Sequence, residues 1–157
     1  VVQLLLNCPD IELNARKNCD GSTAFNMACY YGHKDVVRLL LEHSESIDLN
    51  TRDIDGDTAF MNACDIGHKD VVQLLLENPN IDLNARDNRR YTAFMIACER
   101  GHKDVVQLFL DHSDRIELNA RDIDDQGYTG FMIACHYGRQ DVVKLMLAHT
   151  RNRSCYF

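Results

Sequence analysis

From Thr58 to Glu77 the apolar residues fall into two short helical runs separated by a break. Phe60, Ala63 and Cys64 lie at i, i+3 and i+4, the spacing that gathers side chains on one face of a helix. Thr58 stands where its hydroxyl can accept a first-turn amide, and Gly67 stops the run. A second run carries Asp70 in its first turn and a wide apolar face of Val71, Val72, Leu74, Leu75 and Leu76, which predicts a helix returning antiparallel to the first. Ahead of both, Asp53-Ile-Asp-Gly56 has the acid and glycine content of a tight turn and predicts a hairpin tip.

The same pattern returns along the chain. Phe-x-x-Ala-Cys occupies 25–29, 60–64, 94–98 and 131–135; the preceding Thr23, Thr58, Thr92 and Thr129 are 35, 34 and 37 residues apart. A Val-Val pair follows each block, beginning at Val36, Val71, Val105 and Val142. Such a period marks an array of stacked supersecondary units. Helices this short cannot bury an apolar face alone, so neighbouring units must supply a shared core. Ala28, Ala63, Ala97 and Ala134 are the small residues that let adjacent helices approach. Val1 to Leu6 reads as the second helix of a unit whose first helix is missing, as in a cut array. The expected division is a half unit at 1–14, units at 15–50, 51–84, 85–119 and 120–149, and a tail at 150–157.

The pattern Asp-x-x-Gly-x-Thr-Ala-Phe-Met-x-Ala-Cys-x-x-Gly-His-x-x-Val-Val-x-Leu-Leu-Leu resembles the ankyrin repeat over nearly the whole chain. The resemblance implies an all-α helix-turn-helix solenoid with short β-hairpin tips, elongated and curved. It also implies a non-catalytic scaffold, without cofactor, that binds a protein through its concave face. The chain departs from the family where Pro-Leu-His would follow the threonine, having Ala24-Phe25-Asn26, Ala59-Phe60-Met61, Ala93-Phe94-Met95 and Gly130-Phe131-Met132. Methionine is expected to pack where the family's histidine ties helix to hairpin. The loops between units are longer than the family's, Arg90 takes the glycine position of the third tip, and the tip at 122–127 carries two added residues.

Family recognition positions lie around the hairpin turn and just before the Gly-His pair. Here they are Ser22, Tyr30 and Tyr31; Ile54, Asp55, Asp57, Asp65 and Ile66; Asn88, Arg89, Tyr91, Glu99 and Arg100; and Ile123, Tyr128, His136 and Tyr137. Tyrosine and arginine are enriched at binding hot spots. A structural spacer within a longer repeat protein is the competing reading. A third comes from Asn14, Asn50, Asn84 and Asn119, which end the loops between units and resemble substrates of asparaginyl hydroxylases. The associated pattern, a leucine eight residues upstream and an acid two upstream, holds for Asn14 (Leu6, Glu12) and Asn84 (Leu76, Asp82). The plainer role for these residues is an asparagine bonding its own turn.

A net charge of −7 argues against a nucleic-acid backbone as partner. The sign alternates along the chain: residues 45–57 and 111–125 are acid-rich, and residues 86–103 base-rich. Arg89 and Arg90 are therefore expected either to pair with Asp55, Asp57, Asp124 and Asp125 at neighbouring tips or to present a basic spot to a partner's carboxylates. Cys29, Cys64, Cys98 and Cys135 recur one unit apart, too far for disulfides, and are expected to be buried thiols of a reducing compartment. His33, His68 and His102, continued by Arg139, cannot converge on one metal ion and are expected to cap the second helices. No nucleophile with an adjacent base, no phosphate loop and no apolar run of about 20 residues is present. These features predict an intracellular, cytoplasmic or nuclear, monomeric protein with a protein partner rather than a nucleic acid or membrane.

Overall fold

The computed structural model describes residues 11–122 and 127–153, without the side chains of the last two. The N-terminal helix expected within 1–14, Cys8, Ile123, Asp124, Asp125 and Cys155 lie outside those residues. The described residues hold eight helices: α1 (Ala24–Tyr30), α2 (Lys34–Leu41), α3 (Ala59–Ile66), α4 (Lys69–Glu77), α5 (Ala93–Arg100), α6 (Lys103–Asp111), α7 (Gly130–His136) and α8 (Gln140–Arg153). Each odd helix packs on the even helix that follows it. The odd helices stack in one row and the even helices in a second, and the core runs between them.

Local chemistry sets the helix ends. Thr23, Thr58, Thr92 and Thr129 accept the backbone amides of Asn26, Met61, Met95 and Met132 at 3.3, 3.3, 3.4 and 3.4 Å. Gly67 and Gly101 end α3 and α5 in the left-handed region, which glycine enters without a Cβ clash. The tips close as tight turns, with no strand among the described residues. In the second, the Asp53 amide bonds the Asp57 carbonyl at 3.0 Å. In the third, Arg90 adopts φ 68°, where the other tips use glycine, and Asp87 holds the turn by accepting the Tyr91 amide at 2.7 Å.

Met61 and Met95 pack into the core as expected, and the Met61 sulfur accepts the Thr58 amide at 3.5 Å. Asn26, at the same position of α1, ties helix to the next tip instead, donating to the Thr51 carbonyl at 3.3 Å. Met132 is 41% exposed, with no further helix pair beyond α7 and α8 among the described residues. Phe109 stands where α4 has Leu75 and meets Phe60 and Phe94 edge-on, each at 5.7 Å, joining adjacent pairs through one aromatic cluster.

The cysteine column divides. Cys29, Cys64 and Cys98 are buried, and burial pushes their thiols up. Cys135 is exposed, contrary to the expectation of a fully buried column, because burial requires a following helix pair. A thiol reagent is expected to modify Cys135 and Cys19 in the native protein while sparing Cys29, Cys64 and Cys98 until unfolding, with mass spectrometry giving the site. Leu75 is fully buried, so Leu75→Ala should cost about 2–5 kcal/mol, read as a shift of the urea midpoint. An unshifted midpoint would remove Leu75 from the core.

Candidate partner-binding surface

Three side-chain ladders cross the junctions between helix pairs, and they fix which residues remain free for a partner. Asn14, Asn50 and Asn84 each span the next loop. Their amides donate to the carbonyls of Ser46, Asn80 and Arg115 at 2.9, 2.9 and 3.0 Å. Their carbonyl oxygens accept from the amides of Asp48, Asp82 and Glu117 at 2.8, 2.8 and 2.9 Å. The expected bond to the asparagine's own turn is made by Asp48 and Asp82 instead, which accept the amides of Asn50 and Asn84 at 3.1 Å. Asn14 and Asn84, the two hydroxylation candidates, are thus both engaged at the amide.

The second ladder runs Arg16 to the Arg52 carbonyl, Arg52 to the Arg86 carbonyl at 2.7 Å, and Arg86 to the Arg121 carbonyl at 2.7 Å. The sequence contains it as the recurring Asn-x-Arg, a signal that the reading of motifs above leaves unused. The third corrects the histidine column. None of His33, His68 and His102 caps its own helix with its side chain. His68 donates Nε2–H to the Tyr30 carbonyl at 2.9 Å, His102 to the Asp65 carbonyl at 2.8 Å, and Arg139 bonds the Glu99 carbonyl at 2.6 Å. Each side chain lies on a glycine of the preceding pair. A Cβ on Gly32 or Gly67 would stand 2.6 Å from the imidazole of His68 or His102.

Beyond the ladders, the tips and odd helices carry the residues singled out for binding. Around α1 and the second tip, Tyr30, Tyr31 and Ile54 are exposed at 43, 60 and 63%. Tyr30 and Tyr31 meet edge-on at 5.2 Å beside a groove of about 420 Å³. Asp55, Asp57 and Asp65 line it together with Asp20, Asp53, Met27 and Asn62, which were not singled out from the sequence. Lys17, the cation in the lining, is paired with Asp20 at 2.9 Å. Asp57 Oδ1 is buried without a hydrogen-bond partner. Burial, reinforced by the charges of Asp53 and Asp87, pushes the Asp57 carboxyl up to about 7.

In the middle of the surface the arginines are already paired. Arg89 lies 3.0 Å from Asp87 and 3.7 Å from Glu99, with its guanidinium 4.7 Å from the ring centre of the half-buried Tyr91. Arg100 meets Asp65 of the preceding pair at 2.6 Å. The ion pairs of Arg89 are thus with acids of its own segment, while Asp124 and Asp125, expected among its partners, lie outside the described residues. Ile66 is exposed nearby. At the far end His136 stands between Tyr128 and Tyr137, with ring centres 6.0 and 5.0 Å away.

Among the described residues no group of three or more His, Cys, Asp or Glu could hold a metal ion, and no helix is long and apolar enough to cross a membrane. Repeated helix pairs in two rows, crossed by ladders at the period of the sequence, define a solenoid repeat protein. The family model for ankyrin repeats (3 copies) matches residues 1–87 and 80–154, and the chain belongs to the ankyrin repeat family. Ankyrin repeats are in general protein–protein interaction modules and typically non-catalytic.

A carboxyl whose folded-state value lies above its ordinary 3.8 binds its proton more tightly folded than unfolded, so its contribution to stability falls as pH rises from about 4 to about 7. Asp57→Asn should therefore raise stability above pH 7 by about 1 kcal/mol, a figure reduced for solvent screening of the half-open carboxylate. The gain should vanish near pH 4. Urea titrations at the two pH values check this, and a gain independent of pH would mean that the carboxylate is well solvated.

Proposed function

We propose that the chain binds a protein partner along a concave face formed by the tips and odd helices, and that the partner presents apolar and cationic side chains. The observation that carries this reading is the groove beside α1. It combines rigid, exposed Tyr30, Tyr31 and Ile54 with five aspartates, and its one lysine is occupied by Asp20. Large amphipathic rings lose little entropy on docking, and a partly desolvated carboxylate such as Asp57 regains a counter-charge from a bound lysine or arginine. Ile66, Asp55, Asp65, Glu99, Tyr91, Tyr128, His136 and Tyr137 extend the face. Arg89 and Arg100 serve it by holding Glu99 and Asp65 in place rather than by receiving carboxylates.

The triple variant Tyr30→Ala, Tyr31→Ala, Ile54→Ala removes exposed side chains, so its circular dichroism and thermal midpoint should match the parent's. Fluorescence anisotropy with a lysine- and arginine-rich peptide containing leucine or phenylalanine should show binding that weakens with salt and falls about 10-fold or more in the variant. A glutamate-rich peptide of equal length should not bind. Equal affinity of parent and variant for the basic peptide, or preference for the acidic one, would overturn the reading.

A further inference from the structure

The turn of the third tip carries an arginine where backbone chemistry favours glycine. Gly21, Gly56 and Gly127 hold the corresponding turns at φ 70, 82 and 59°, whereas Arg90 takes φ 68° and is the one non-glycine residue with positive φ among the described residues. A Cβ is disfavoured in that region, so the position holds strain that a glycine would relieve. Strain of this kind collects where a side chain has a task beyond folding. Folding gives the Arg90 side chain no such task. It is exposed and makes no hydrogen bond or ion pair among the described residues; only its backbone is engaged, by Asp87 and Arg86.

Arg90 opens onto a recess of about 470 Å³ that Arg52 and Arg86 also line. The recess shares no lining residue with the groove beside α1. Arg52 is exposed and anchored by one bond, from Nη1 to the Arg86 carbonyl at 2.7 Å, and its remaining N–H groups have no partner among the described residues. Arg86 lies 3.7 Å from Glu117. Of the two acids in the lining, Asp87 is buried and engaged by Arg89 and the Tyr91 amide, and Asp82 accepts the Asn84 amide at 3.1 Å. With Arg86 and Asp87 each paired, Arg52 and Arg90 face the single unpaired carboxylate of Asp82. The recess is therefore locally positive in a chain whose net charge is −7.

We infer that this recess is an anion site for a phosphate monoester carried on a partner polypeptide, a phosphoserine or phosphothreonine side chain, with Arg90 and Arg52 as the residues that bind it. Guanidinium forks match phosphate oxygens two at a time, and a dianion gains more from two such forks than a carboxylate does. The recess is shallow and open, which suits a phosphate projecting from a chain rather than a small molecule that needs enclosure. Asp82 sharpens the choice. Its charge repels a weakly held carboxylate, so that a glutamate in the phosphate's place is rejected. The inference does not rest on the groove beside α1, and the two readings stand or fall independently.

The test offers the immobilised full chain three pools of degenerate peptides that differ only at a central residue, fixed as phosphoserine, serine or glutamate, and measures retained peptide by mass spectrometry. The phosphoserine pool should be retained about 10-fold or more over the other two, and added salt should release it. Arg90→Gly should keep its thermal midpoint at or above the parent's, because glycine relieves the turn, while retention of the phosphoserine pool falls about 10-fold. Arg90→Lys keeps the charge without the fork and should retain an intermediate amount. Asp82→Asn keeps an oxygen for the Asn84 amide and should raise retention. Equal retention of the phosphoserine and glutamate pools, or equal retention of the phosphoserine pool by the parent and Arg90→Gly, would overturn the proposal. So would elution by inorganic phosphate as complete as by an equal concentration of the phosphoserine pool, which would make a small soluble phosphate the occupant.

Discussion

The structure depends on a close approach at each junction between helix pairs. A side chain from the second helix's entry lies flat on a glycine of the preceding pair and bonds the carbonyl two residues before it. Both requirements fall on one glycine, which must accept a positive φ and leave room for the ring. The bond at 2.8–2.9 Å for the two histidines satisfies an acceptor that the end of an odd helix leaves open. Once that spacing is set, the asparagine and arginine ladders on the loop side come into register, and the valines, leucines and Phe109 close the core between the rows.

Because these ladders take the polar residues on the loop side and at the glycine, the exposed side chains of the tips and odd helices are left for other contacts, while the buried faces of the odd helices build the core. Their exposed tyrosines and isoleucines make few structural contacts, while their charges are arranged in two ways. Around α3 and α5, Arg89 and Arg100 neutralise Glu99, Asp87 and Asp65. Around α1 the carboxylates outnumber the available cation, and Asp57 pays for its partial burial with a raised affinity for protons. The asymmetry gives the surface a polarity from one end to the other that a uniform repeat would lack.

Length and period were legible without coordinates. Threonine caps, glycine stops and the i, i+3, i+4 clusters gave helix positions to within a residue or so, because they act over a single turn. The candidate surface was legible only as positions. Tyr30, Tyr31, Ile54 and Tyr137 are exposed, but Tyr91 is half buried, and Asp20, Asp53, Met27 and Asn62 join the groove unannounced.

By itself the sequence determined the repeating unit and the ankyrin pattern, since hydrophobic spacing and capping are local and recur with every period. Tertiary structure alone decided what each recurring polar residue does. The partners of Asn50, Arg52 and His102 lie 30 to 37 residues away, roughly one period, so that a column of identical residues looks the same whether each bonds its own turn, caps its own helix or ties its neighbour. It also decided the fate of Cys135 and Met132, whose sequence surroundings match those of their buried counterparts. Burial belongs to the pair that follows and not to the residue itself.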